Sequence, residues 1–108
     1  MIKYLEKENL NDVIKSGVWI VDFYADWCGP CKMLGPVLES IDANILKINV
    51  DTHEELATTY GVMSIPTICF FKDGELKQKV IGFRNKDDIE KILTSFSKTA
   101  FSVLFIFM

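Results

Sequence analysis

Residues 18–41, VWIVDFYADWCGPCKMLGPVLESI, carry the strongest structural signal in the chain. Their first part, from Val18 to Ala25, is an almost unbroken apolar run, which is typical of a strand covered on both faces. Their last part repeats apolar residues at helical spacing, at Met33, Leu34, Val37, Leu38 and Ile41. The stretch therefore predicts a buried strand followed directly by a helix, with two cysteines at the junction.

The two cysteines, Cys28 and Cys31, are separated by Gly29 and Pro30. If Cys28 is the N-cap, Cys31 is the third helical residue, and the two side chains reach towards each other across the first turn. Pro30 then lies in that turn, where its missing N–H is not needed. The free N–H groups and the positive end of the helix favour a thiolate at Cys28. The spacing predicts a redox dithiol in which Cys28 attacks first and the more buried Cys31 acts second.

Two other interpretations of the pair are half of a zinc site and two unreactive core cysteines. A structural zinc site needs four ligands, and only His53 and Cys69 remain as further candidates, neither of them paired. Gly-Pro at a helix start favours an exposed turn over a core position. We expect no bound metal. We expect Trp27 to form a flat surface beside the thiols, because Lys32 offers it no apolar partner for a hydrophobic staple.

The remaining sequence predicts four further strands and three further helices. The strands cover residues 2–5, 45–50, 67–72 and 75–81, and the hairpin signal Asp73-Gly74 joins the last two. The helices follow Asn9, the capping-box pattern Thr52-His53-Glu54-Glu55, and Asn85. The order βαβαβαββα predicts an α/β fold, with a single mixed sheet of about five strands and helices on both faces.

The composition is that of a globular protein. The chain has 108 residues, 49% hydrophobic and 25% charged, with a formal net charge of −3. This length allows one domain with its own core. No basic patch indicates nucleic-acid binding. Charged residues precede any apolar run at the N-terminus, so we expect no secretory signal and a reducing cytoplasmic location. We also expect no membrane association and a monomer.

The motif WCGPCK after VDFYAD resembles the active-site signature of the thioredoxin family. The resemblance extends from residue 2 to about residue 97, and its further matches are Asp22, Lys47, Ser64-Ile65-Pro66-Thr67, Phe71-Lys72-Asp73-Gly74 and Gly82. It implies a thioredoxin fold for a domain of residues 1–97 and a protein-disulfide reductase that needs no cofactor. The partners it implies are disulfide-containing proteins and a thioredoxin reductase.

The same resemblance implies a cis bond between Ile65 and Pro66, in a turn that the family sets opposite the dithiol. Backbone groups of Ile65 would pair there with a substrate chain, as in strand addition. We expect a mostly apolar docking rim around the cysteines, formed by Trp27, Gly29, Pro30, Val50, Ile65, Pro66, Gly82 and Phe83.

Asp22 interrupts the apolar strand, so burial should raise the pKa of its carboxyl group. A structural interpretation pairs Asp22 with Lys47 at the end of the strand. The functional interpretation, which the resemblance favours, makes Asp22 the general base that takes the proton from Cys31, with Lys47 tuning Asp22. The catalytic group predicted from the sequence is therefore Cys28, Cys31, Asp22 and Lys47.

Some features depart from the family pattern. The segment from Ile41 to Ile45 is short, and Tyr24 stands where a tryptophan is common. Residues 98–108 form an apolar tail that is too short to span a bilayer. Packing on the domain, self-association, weak membrane contact and an artificial extension all remain open for it. We expect Cys69 in the core and His53 at the surface.

Two other function classes are considered. Oxidases and isomerases of the same fold usually carry a histidine between the cysteines, so Gly29-Pro30 favours a reductant. A purely binding module would not need an intact dithiol together with Asp22.

Overall fold

The computed structural model describes the backbone of residues 1–106 and the side chains of residues 1–96. The elements are β1 (Ile2–Tyr4), α1 (Leu10–Val13), β2 (Val18–Tyr24), α2 (Gly29–Glu39), β3 (Asn44–Asn49), α3 (Glu54–Thr59), β4 (Thr67–Lys72), β5 (Glu75–Ile81) and α4 (Lys86–Ile106). This order confirms the predicted α/β fold.

The strands form one mixed sheet in the order β1-β3-β2-β4-β5. Strands β1, β3 and β2 are parallel, whereas β4 pairs antiparallel with both β2 and β5. Residues 19–23 of the central strand β2 are buried, which explains their apolar composition. Even-numbered Ile20 packs with Leu34 and Leu38 of α2, while odd-numbered Val21 belongs to the core cluster on the other face. Asp22 therefore lies on the face that α2 covers.

The predicted caps at Asn9 and Asn85 and the predicted turn are confirmed. The Asn9 side chain accepts a hydrogen bond from the Asn11 N–H at 2.8 Å, and the Asn85 side chain accepts one from the Asp88 N–H at 2.9 Å. In the hairpin between β4 and β5, Asp73 has φ 51° and Gly74 has φ 83°. Positive φ at both central residues is what a type I′ turn requires.

One local prediction was wrong. Helix α3 has His53, not Thr52, at its N-cap, and the Thr52 hydroxyl instead donates to the Asn49 carbonyl at 3.3 Å. His53 is half-buried, with Nε2 2.8 Å from the Glu6 carbonyl oxygen. Met33 is 60% exposed, because α2 turns it away from the sheet.

Helix α2 ends at Glu39, and the Ser40 hydroxyl donates to the Val37 carbonyl at 2.7 Å. The helix thus ends before Ile41, which leaves residues 40–43 to connect it to β3. In the part of the chain that the structure describes, no helix combines the length and apolar character needed to cross a bilayer. The packing of side chains in the tail, residues 98–108, lies outside the described residues.

Candidate active site

The dithiol lies where β2 leads into α2. Cys28 is the N-cap of α2, with Pro30 in the first turn, and Cys28 Sγ accepts a hydrogen bond from the Cys31 N–H at 3.2 Å. The two sulfurs are joined in a disulfide, with Cα atoms 5.2 Å apart. The pair is therefore a disulfide at a helix N-terminus, where a thiolate formed on reduction is stabilised.

The two cysteines are almost equally buried in this oxidised state, with 5% of Cys28 and 4% of Cys31 exposed. The difference has the expected direction but is too small to separate the two residues. Side-chain burial does not separate them, because Val50, Ile65 and Tyr24 pack against the pair as one small cluster. What distinguishes the cysteines is position, since Cys28 caps the helix and Cys31 lies inside its first turn.

The turn before β4 lies beside Cys28. The Ile65–Pro66 peptide bond is cis, as predicted, and the Ile65 carbonyl oxygen is 3.7 Å from Cys28 Sγ. Gly82 donates its N–H to the Pro66 carbonyl at 2.7 Å, which holds the end of β5 next to this turn. Phe83 follows Gly82, but its side chain packs against the core cluster that contains Ile20 and Leu34. The structure thus brings Ile65 close to the dithiol and turns the Phe83 side chain towards the core.

Trp27 is 70% exposed directly before Cys28, as expected for a surface residue. Its indole Nε1–H donates to Asp51 Oδ2 at 2.9 Å. Asp51 was not identified from the sequence, although it follows Val50, which packs against the dithiol. A second residue that sequence reasoning missed is Arg84, which donates to the carbonyls of Ile81 at 3.0 Å and Phe83 at 2.9 Å. Asp51 thus holds Trp27 beside Cys28, and Arg84 holds the turn after β5, which lies next to Pro66.

Asp22 is fully buried, and neither of its carboxylate oxygens has a hydrogen-bond partner among the described residues. The nearest cation is Lys47 Nζ, 3.5 Å from Asp22 Oδ2, and the two residues are directly opposite each other in the β2–β3 pairing. Burial raises the pKa of Asp22 to about 6, while the Lys47 charge acts in the opposite direction. A carboxyl group with this pKa can take up and release a proton near neutral pH.

Cys69 is separate from this site. It is fully buried in β4, pairs with Val21 of β2, and belongs to the core on the face away from Asp22. Burial raises the pKa of its thiol to about 11. Cys69 is therefore a core residue, as predicted, and its thiolate is disfavoured at neutral pH.

Comparison with known proteins agrees with this geometry. The thioredoxin family model matches residues 1–95. A thioredoxin from Chlamydia caviae is 44% identical over 102 residues, and the match covers 90% of this chain and all of the relative. A thioredoxin from Staphylococcus saprophyticus is 50% identical over 91 residues, and the match covers 79% of this chain and 88% of the relative.

Solved structures of thioredoxins also superpose on this chain. A mutant thioredoxin from Halobacterium salinarum superposes with a TM-score of 0.79 at 40% identity, covering 87% of this chain and 88% of the other. A Malassezia sympodialis thioredoxin superposes with a TM-score of 0.76 at 30% identity, covering 88% and 90%. Sequence, fold and the Cys28–Cys31 disulfide all support protein-disulfide reductase activity. The chain therefore belongs to the thioredoxin family.

Proposed function

We propose that this protein is a general electron donor that reduces disulfide bonds in other proteins of the cytoplasm and is itself reduced by a thioredoxin reductase. The observation that carries the proposal is the position of the Cys28–Cys31 disulfide, with Cys28 Sγ accepting the Cys31 N–H at the start of α2. A reducing compartment suits this role, because a donor must itself be kept in the dithiol form.

The reaction proceeds in two exchanges. The Cys28 thiolate attacks one sulfur of the substrate disulfide, forming a mixed disulfide and releasing one substrate thiolate, which takes a proton from water. Cys31 then loses its proton and attacks Cys28 Sγ, which releases the second substrate thiolate and leaves Cys28 and Cys31 oxidised. Two electrons pass from the dithiol to the substrate.

Asp22 serves as the proton acceptor for Cys31. It lies on the sheet face that α2 covers, and its pKa of about 6 leaves most of the carboxyl group ionised at neutral pH. The proton passes directly or through a water molecule. Lys47 keeps the buried carboxylate charged by its proximity at 3.5 Å.

Substrates dock on a rim around Cys28. Ile65 offers backbone groups next to the reacting sulfur, so an extended substrate segment can pair with it as an added strand. Exposed Gly29 and the small residue Gly82 allow close approach of that segment. The proposed binding surface consists of Trp27, Gly29, Pro30, Val50, Ile65, Pro66, Gly82 and, next to Gly82, Phe83.

The proposal is tested by insulin reduction driven by thioredoxin reductase and NADPH. We expect activity in the unmodified protein and in the Cys69→Ser variant, and none in Cys28→Ser. Insulin reduction by Cys28→Ser would contradict the assigned nucleophile. A redox potential well above that of the glutathione pool would instead favour an oxidase or isomerase.

A further inference from the structure

Two tyrosines surround the ammonium group of Lys47. Its Nζ atom lies 4.9 Å from the ring centroid of Tyr24 and 5.7 Å from that of Tyr4. Both distances fall within the range of about 6 Å in which a cation is attracted to an aromatic face. The two rings also contact each other edge to face, with centroids 6.2 Å apart and an interplanar angle of 82°. We call these two rings the tyrosine pair.

Strand order and register create this arrangement. Strand β3 lies between β1 and β2, so Lys47 has Tyr4 opposite it on one side and Asp22 on the other. Tyr24 is two residues beyond Asp22 and therefore projects from the same face of β2. The Lys47 side chain is 12% exposed, while Tyr4 is 55% exposed and covers it from outside. The ammonium group is thus held between two rings and a buried carboxylate.

We propose that Tyr4 and Tyr24 are positioning residues, which hold the Lys47 ammonium group against the Asp22 carboxylate and so set the pH range in which Asp22 accepts a proton. This inference rests on the proposed function, in which Asp22 takes the proton from Cys31. Neither tyrosine needs to touch the substrate for this role.

The physical reason is the flexibility of a lysine side chain. A Lys47 ammonium group with no aromatic partner gains hydration by turning outwards, where water screens its charge. In residues 1–96, whose side chains the structure describes, no group donates a hydrogen bond to the Asp22 carboxylate that could replace that lost attraction. Weakening the tyrosine pair should therefore raise the pKa of Asp22 further above its ordinary value.

Other titratable and charged groups close to this site also affect the pKa of Asp22, so a test substitution must leave them unchanged. A surface cavity of about 230 Å³ is lined by Tyr4, Tyr24, Lys47, Asp26 after β2, and Cys31 and Lys32 of α2. On the remaining side, the residue of β4 opposite Asp22 is Ile68, which does not titrate. A substitution at the exposed residue Tyr4 leaves Asp26, Cys31 and Lys32 in place.

The test is a carbon-13 NMR titration of the Asp22 carboxyl group in the oxidised protein. Tyr4→Leu, which removes one of the two aromatic faces around Lys47, should raise the pKa of Asp22 by about half a unit. Tyr4→Phe keeps the face and loses only the hydroxyl, so it should leave that pKa unchanged. Equal titration curves for all three proteins, or equal shifts in both variants, would overturn the proposal.

A second pair of proteins tests whether Tyr4 acts through Lys47. In a Lys47→Met background, Tyr4→Leu should leave the pKa of Asp22 unchanged. An equal shift with and without Lys47 would show that Tyr4 acts by covering Asp22 from water, which also overturns the proposal.

The pH profile of substrate reduction separates this inference from the proposed function. If Tyr4→Leu shifts both the Asp22 titration and the rate profile, both are supported. If it shifts the titration alone, the tyrosine pair is supported and Asp22 is not the proton acceptor.

Discussion

The environment of Asp22 sets the pH range in which its carboxyl group can exchange a proton. Asp22 is fully buried in the central strand, neither of its oxygens has a hydrogen-bond partner among the described residues, and Lys47 Nζ lies 3.5 Å from Oδ2. Burying a charged carboxylate costs free energy, and one lysine compensates for only part of that cost. The pKa of Asp22 is therefore raised to about 6, so the neutral form is favoured below that pH. A position that costs stability in this way is understandable if the carboxyl group has a role in proton transfer.

The first prediction concerns stability. The folded protein keeps Asp22 protonated up to about pH 6, whereas the unfolded chain loses that proton near its ordinary pKa of 3.8. The Asp22 contribution to stability is therefore lost as pH rises through this window. Asp22→Ala should be more stable than the unmodified protein by about 2–3 kcal/mol at neutral pH, less the cost of a small cavity.

Urea unfolding at pH 7 and at pH 3.5 measures this difference. At pH 3.5 the carboxyl group is mostly neutral in both states, so the advantage of Asp22→Ala should disappear. A variant that is less stable at pH 7, or an advantage that does not depend on pH, would contradict the account of burial.

The second prediction concerns catalysis. Asp22→Asn keeps the size of the side chain but cannot accept a proton, so the attack of Cys31 on the mixed disulfide should slow by roughly tenfold to a hundredfold at neutral pH. In the unmodified protein this rate should fall as pH drops below about 6. Rapid-quench measurements across that pH range check both points. An unchanged rate profile in Asp22→Asn would remove the proton role.

At the scale of elements, the junction of β2 and α2 is predictable from sequence because its determinants are local. The apolar run, the N-cap cysteine and the proline of the first turn are contiguous. Helix α3 shows the limit of this reasoning. The pattern at Thr52 indicated a capping box, but His53 contacts the carbonyl oxygen of Glu6, which is remote in sequence. With the segment around Glu6 packed against His53, the helix has His53 and not Thr52 at its N-cap.

The tyrosine pair was missed for a related reason. Tyr4 and Lys47 are opposite each other only because β1 pairs in parallel with β3 in a particular register. Strand order and register depend on the packing of the whole sheet. The pairing of Asp22 with Lys47 is the structural interpretation that the sequence already offers for a carboxylate in an apolar strand.

The third prediction tests the β4–β5 hairpin. Gly74 has φ 83°, and a Cβ atom there would be 3.7 Å from Lys15 Cα, which is an ordinary contact. Gly74→Ala should therefore cost about 1–2 kcal/mol through the positive φ alone. Gly35→Ala is the matched control, because it lies within α2 and a Cβ atom there meets nothing within 4 Å.

Denaturant unfolding of the two variants gives the measurement. Gly35→Ala should leave stability unchanged or raise it slightly, since alanine favours a helix. Equal stabilities for both variants would show that the hairpin tolerates a side chain at this turn.

At the scale of the whole molecule, the apolar segment at the end of the chain lies outside the family match. The family model matches residues 1–95, and the sequence resemblance predicts a domain of residues 1–97. We propose that the apolar segment 98–108 is not needed for disulfide reduction. The reacting groups described above all lie before residue 84.

The fourth prediction follows from this division. A chain that ends at Ser97 retains Ile89, Ile92, Leu93 and Phe96, which pack on the core face shared with α2. It should reduce insulin at the same rate as the full chain and be less prone to aggregation, because an apolar segment is removed. Loss of activity on truncation, with the far-ultraviolet circular dichroism unchanged, would show that the tail takes part in function.

The measurement that tests the assignment of the dithiol most directly is covalent trapping with Cys31→Ser. Without the second thiol, the mixed disulfide cannot be resolved, so incubation with a disulfide-containing protein should give a stable adduct. Mass spectrometry under non-reducing conditions should place the link at Cys28 and leave Cys69 unmodified. An adduct at Cys69, or no adduct while Cys28 still reacts with a small alkylating reagent, would contradict the two-step mechanism.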